Sequence, residues 1–194
     1  MPGALRDHAV DNLRYIREAM ERASSFTSIP GWGGFAVGVT ALITTAVAQP
    51  FAASRPRLWV ITWLLCAVVA SGIGWTAMVL KGKRSGVSLT STVARRFFVA
   101  YFAPLIAGAV LSVALWRAGT FQPMPAVWLL LYGAAFVSSG AFALRVIPVM
   151  GSCFMLFGVV AAFLPLAIAN LLLGVAFGGL HVAFGLLIAR RYGG

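Results

Sequence analysis

After Glu21 this chain of 194 residues contains no carboxylate side chain: Asp7, Asp11, Glu18 and Glu21 are its only acidic residues, and all precede the first apolar run. The remainder is a series of long apolar segments, each near the ~20 residues that a helix rising about 1.5 Å per residue needs to cross a bilayer core. Six are predicted, at 32–48, 58–80, 97–116, 125–144, 147–165 and 168–189. They are continuous rather than short and alternating, so helices are expected instead of barrel strands. With 61% hydrophobic and 10% charged residues, the chain is far more apolar than a soluble domain, which runs at roughly half and a quarter. The fold class expected is all-α: a polytopic membrane protein with six transmembrane helices and an N-terminal cytoplasmic amphipathic helix, divided at 1–28 and 29–194.

Residues 5–25 place Ala9, Leu13, Ile16, Met20 and Ala23 at alternating spacings of four and three, which lines them up on one helical stripe. Arg14 with Glu18, Arg17 with Glu21, and Glu18 with Arg22 stand four apart on the charged side, each pair contributing about 0.2–0.5 kcal/mol on an exposed helix. Such a helix lies on lipid or against the bundle, or meets a second copy or a membrane-protein partner. Pro30 and Gly31 then break it. The leading Met-Pro-Gly-Ala-Leu-Arg-Asp-His is not a basic n-region, so no cleaved signal peptide is expected.

Six crossings put twelve Lys and Arg on one side and three (Arg55, Arg57 and Arg117) on the other. The positive-inside rule then places both termini in the cytoplasm. Trp59, Trp116 and Trp128 fall at the outer interface and Trp32 at the inner one, where indoles prefer to sit. The net charge of +11 is distributed between hydrophobic segments, which argues for lipid rather than nucleic acid. The largest inner loop, 81–96, holds Lys81, Lys83, Arg84, Arg95 and Arg96 without a negative charge. It suits anionic lipid headgroups or a phosphate-bearing ligand, but lacks a nucleotide-binding glycine pattern.

Few polar side chains fall deep in the apolar segments, and those that do usually face inward and find partners. Gly174, Gly178, His181 and Gly185 recur at four, three and four residues, so His181 points at a close-packed neighbour. Tyr132 and Ser139 share a face of the fourth segment at a matching depth, so a histidine bonded to a serine or tyrosine hydroxyl is expected. Ser139 and His181 invite comparison with rhomboid peptidases, yet Val137 replaces the first glycine of their Gly-x-Ser-Gly motif and no oxyanion donor stands in the second segment. Gly34 with Gly38 and Gly174 with Gly178 mark tight helix contacts, within or between protomers. Pro104 should free the carbonyl of Ala100. Cys66 and Cys153 lie in separate apolar runs without metal-ligand neighbours, so neither a metal nor a cofactor is expected.

Ile16-Arg-Glu-Ala-Met-Glu-Arg-Ala-Ser-Ser-Phe, followed by Ile29-Pro-Gly-Trp-Gly-Gly-Phe-Ala-Val-Gly, resembles the start of a group of uncharacterised bacterial multi-pass membrane proteins. The resemblance implies a bacterial inner-membrane protein of similar plan and brings no activity with it. The expected function is a non-enzymatic structural or regulatory partner in a membrane assembly. The alternatives are a carrier or pore for a small neutral or anionic solute and, third, an intramembrane serine peptidase.

Overall fold

A computed structural model describes residues 16, 25–86 and 88–193. Apart from Ile16 and Ser25, the helix expected over 5–25 lies outside the described residues. Among the described residues from 25 onwards six helices follow in order: α1 (Gly31–Ser54), α2 (Pro56–Ser85), α3 (Thr92–Ala118), α4 (Met124–Gly140), α5 (Val146–Ala161) and α6 (Leu166–Tyr192). Four of them, α1, α2, α3 and α6, are long and apolar enough to cross a membrane; α4 and α5 are shorter.

Local chemistry sets the boundaries. Arg55 is forced out of helical geometry (φ −142°, ψ 67°) because Pro56 comes next, and Pro56 then opens α2 as a first-turn proline. Helix α2 continues past its apolar stretch through Lys81, Lys83 and Arg84, which are good helix formers, until Gly86 at φ 66° ends it. Ser91 caps α3, its Oγ accepting from the Ala94 amide at 3.2 Å. The basic loop expected over 81–96 is therefore only the short connection 86–91, and its five cations sit on helix ends. Helices α4 and α5 stop before the expected 144 and 165. Residues 141–145 form a turn in which the Phe26 amide donates to Phe142 O at 2.7 Å, and Pro165 bars helix just ahead of α6.

Helix α1 packs along α2 and α6, and α4 along α3 and α5. Glycines permit the closest of these approaches. A Cβ on Gly38 would stand 2.7 Å from Gly178 O, and one on Gly185 2.5 Å from the Phe35 amide, so α1 and α6 meet backbone to backbone. Gly34 faces Gly185 across the same seam and Gly174 faces Thr45, so the four expected packing glycines all work within the chain. Gly133 and Gly151 form a second, reciprocal seam between α4 and α5 that was not anticipated. Phe26, 1% exposed, packs its ring 4.8 Å from that of Phe97, which builds residues before the expected boundary at 29 into the bundle end. By contrast, α2 and α3 barely touch although they are consecutive.

Candidate functional site: a cleft between α2 and α3

The separation of α2 and α3 leaves a cleft of about 660 Å³ running into the bundle. Leu64 and Trp75 on α2 and Phe102 on α3 stand at its rim, each about half exposed, so it opens on the apolar flank rather than at an end. Near the Lys81 end, Trp75 and Phe98 approach to 5.9 Å between ring centroids and narrow the gap. Its size falls within the roughly 300–1,000 Å³ of small-molecule sites, which are likewise apolar with a few placed polar groups.

Tyr132 on α4 and His181 on α6 lie on the cleft wall, with the Tyr132 hydroxyl 2.9 Å from His181 Nε2. The other ring nitrogen, Nδ1, lies 2.8 Å from Phe177 O, one turn earlier. Residues Gly174–Leu180 form a π-helical stretch immediately before His181; such wide turns recur at functional sites in helices. Phe136, Phe154 and Phe177 surround the pair, with centroids 4.8, 5.0 and 5.0 Å from that of Tyr132. Tyr101 of α3 also lines the cleft and meets Tyr132 ring edge to ring face, with centroids 6.4 Å apart.

Ser139 does not join this chain. It is fully buried, its Oγ finds no hydrogen-bond partner, and both nitrogens of His181 are committed elsewhere. Of the two hydroxyls anticipated for the histidine, Tyr132 is the one used, and the structure contains no Ser139–His181 pair that could act as nucleophile and base. The neighbouring Ser138 has a different task. Pro104 has no amide hydrogen, and the Ala100 carbonyl it leaves unpaired lies 2.8 Å from Ser138 Oγ, which also reaches Ala134 O at 2.8 Å.

At the Arg55 end the cleft is roofed by a polar node centred on Asn170, which sequence reasoning passed over. Asn170 is fully buried; its Oδ1 accepts from Trp59 Nε1 at 2.8 Å and Trp63 Nε1 at 2.9 Å, and its Nδ2 donates to Gln49 Oε1 at 2.6 Å and Thr45 O at 3.2 Å. Trp59, expected at a lipid interface, is instead buried because its indole N–H is used here and its ring stacks on Trp128 at 5.3 Å. Trp128 Nε1 in turn donates to Ser112 Oγ at 2.8 Å, tying α4 to α3. Gln122 reaches across to the start of α6, its Nε2 donating to Leu164 O and its Oε1 accepting from the Leu166 amide. The signal for the node was an amide in the otherwise apolar run Leu166–Leu173.

The basic cluster divides in the same way. Lys83, Arg84, Arg95 and Arg96 are exposed around the Lys81 end, with Arg190 and Arg191 of α6 beside them. Lys81 is only 8% exposed and donates to Ile29 O at 3.0 Å, Tyr192 O at 3.0 Å and Gly193 O at 2.5 Å. It therefore caps the last turn of α6 instead of facing headgroups, a favourable place for a cation. Among the described residues no three His, Cys, Asp or Glu side chains come together to hold a metal ion.

Fold and cleft together define an all-helical protein with several helices suited to a membrane and an apolar cleft between two of them. No protein-family model matches the chain, and curated proteins and solved structures yield no match.

Proposed function

We propose that this chain is a non-enzymatic, six-span protein of a bacterial inner membrane that takes an apolar molecule from the lipid phase into the cleft between α2 and α3. The observation that carries the reading is the cleft's sideways opening: an apolar site whose mouth lies on the apolar flank is filled from the bilayer, not from water. The two short helices complete six spans when their connecting turns are counted, since 16 or 17 residues cover about 25 Å of a core of about 30 Å. Both termini lie on the cytoplasmic side, supported by the excess of Lys and Arg there. Lys83, Arg84, Arg95 and Arg96 hold that face against anionic headgroups, each cation contributing about 1 kcal/mol near the surface. Such a protein serves as a binding or regulatory component, or as a carrier when the cleft alternates its opening.

The test is retention of apolar molecules by the purified protein in nanodiscs, read by mass spectrometry after extraction. Gly74 lines the cleft and a Cβ there would meet nothing within 4 Å, so Gly74→Trp is the substitution chosen to fill it. A species enriched over bulk lipid on the natural chain and lost from Gly74→Trp is expected. Identical lipid profiles for the two proteins would contradict the reading.

A further inference from the structure

The lining of the cleft carries no Lys or Arg, and both nitrogens of His181 are engaged. An anionic group drawn inside would be buried without a counter-charge, which is costly. The Arg55 end is roofed by the Asn170 node, so an anion can accompany an occupant only at the Lys81 end. There both wall helices carry exposed cations, Lys83 and Arg84 on α2 and Arg95 and Arg96 on α3. Among the described residues no carboxylate side chain stands beside them, because the four in the chain are Asp7, Asp11, Glu18 and Glu21.

Helical register singles out one of the α3 cations. Arg95 precedes Phe98 by three residues and Phe102 by seven, so it shares the face that lines the cleft; Arg96 falls in line with Val99 and Ala103, exposed residues away from it. On α2, Lys83 follows the rim residue Trp75 by eight residues with Val79 between them, and it lines an open hollow of about 350 Å³ with Val79, Gly86 and Ser88. Trp75 and Phe98 mark the narrow end of the cleft, their centroids 5.9 Å apart. At about 1.5 Å per residue, Arg95 and Lys83 stand about 4 and 12 Å beyond it, one on each wall. Both side chains only donate hydrogen bonds, as does the Trp75 indole, so this end suits a head rich in acceptors. Behind the constriction the α3 wall runs from Phe97 to Ser112, about 22 Å by the same rise, which exceeds the roughly 15 Å that an acyl chain fills in one leaflet. We propose, building on the reading of the cleft as a site filled from the lipid phase, that its occupant is a phosphate-headed lipid: an acyl chain lies between α2 and α3, and the phosphate stays at the Lys81 end, held by Arg95 and Lys83.

Three probes separate chain from head: dioleoylphosphatidic acid; dioleoylglycerol, which keeps the chains without the phosphate; and glycerol 3-phosphate, which keeps the phosphate without the chains. Each is titrated into the full chain in detergent micelles, and bound copies are counted by native mass spectrometry. One phosphatidic acid per chain should bind about tenfold more tightly than dioleoylglycerol, the value of one hydrogen bond to a charged group. A large excess of glycerol 3-phosphate should not displace it. Arg95→Gln should bring phosphatidic acid down to the level of dioleoylglycerol and leave the latter unchanged, with Lys83→Gln acting in the same direction. Arg96→Gln, off the cleft face, should alter the preference by less than about twofold, as a screened surface charge does. Gly74→Trp should weaken both lipids. Equal affinity for the two lipids, lost in Gly74→Trp, would overturn this inference and leave the cleft as a lipid-phase site. Phosphatidic acid binding that survives Gly74→Trp, or that falls alike in Arg95→Gln and Arg96→Gln, would overturn it by showing attraction to the basic surface alone. Displacement by glycerol 3-phosphate would overturn it in favour of a soluble phosphate. Absence of saturable binding for both lipids would overturn this inference and the reading beneath it.

Discussion

The Asn170 and His181 clusters differ in whether their hydrogen bonds close. At Asn170 each amide hydrogen and both accepting positions of the carbonyl oxygen are used, joining α1, α2 and α6. At His181 the chain runs from Phe177 O through the imidazole to the Tyr132 hydroxyl and stops there, on the cleft wall. A closed cluster in a low-dielectric interior fixes how helices pack, since opening it anywhere strands a buried group. An open one keeps a bonding position for something that is not part of the chain. The same division appears in the helix contacts: α1 meets α6 through glycines, while α2 and α3 stand apart.

The contrast can be broken by substitutions at each pole. The largest loss of stability is expected for Asn170→Leu, which strands two indole N–H groups and the Gln49 carbonyl oxygen and should cost about 2–4 kcal/mol. Reversible unfolding in mixed detergent micelles would check it; a change below about 1 kcal/mol would mean the node is not a packing device. Gly38→Val should cost about 1–3 kcal/mol by the same assay, because the added atoms must part α1 from α6 near Gly178 O. Ser138→Ala is expected to cost about 1 kcal/mol by unpairing Ala100 O, and less in a Pro104→Ala background, where residue 104 regains an amide hydrogen for that carbonyl. A double-mutant cycle measures the difference, and strict additivity would remove the link between proline and serine. The smallest effect belongs to Tyr101→Phe, which should change stability by no more than about 1 kcal/mol because the ring contacts with Phe97 and Tyr132 are kept.

Sequence alone disclosed whatever depends on periodicity and chain chemistry. The apolar runs located all six helices, the glycine spacing on α6 turned His181 inward, and Pro104 announced an unpaired carbonyl at Ala100. Where the reading failed, the deciding contact was remote in the chain. Lys81 looked like one of five headgroup cations until the end of α6 supplied two carbonyls for it from more than a hundred residues away and the approach to α1 a third. Trp59 looked interfacial because nothing near it in sequence reveals Asn170, 111 positions later. Ser139 and Ser138 are adjacent, and the packing of α3 on α4 gives the latter a partner beyond its own helix while the former has none. The cleft could not be read at all, because it arises from two neighbouring helices failing to pair.

A density map of the protein in a lipid nanodisc tests the central claim most directly, inspected between α2 and α3. The account predicts elongated non-protein density entering past Leu64 and Phe102 and ending beside Tyr132 and His181. Helices α2 and α3 packed against each other, with their side chains filling the space beside Tyr132 and His181, would contradict it.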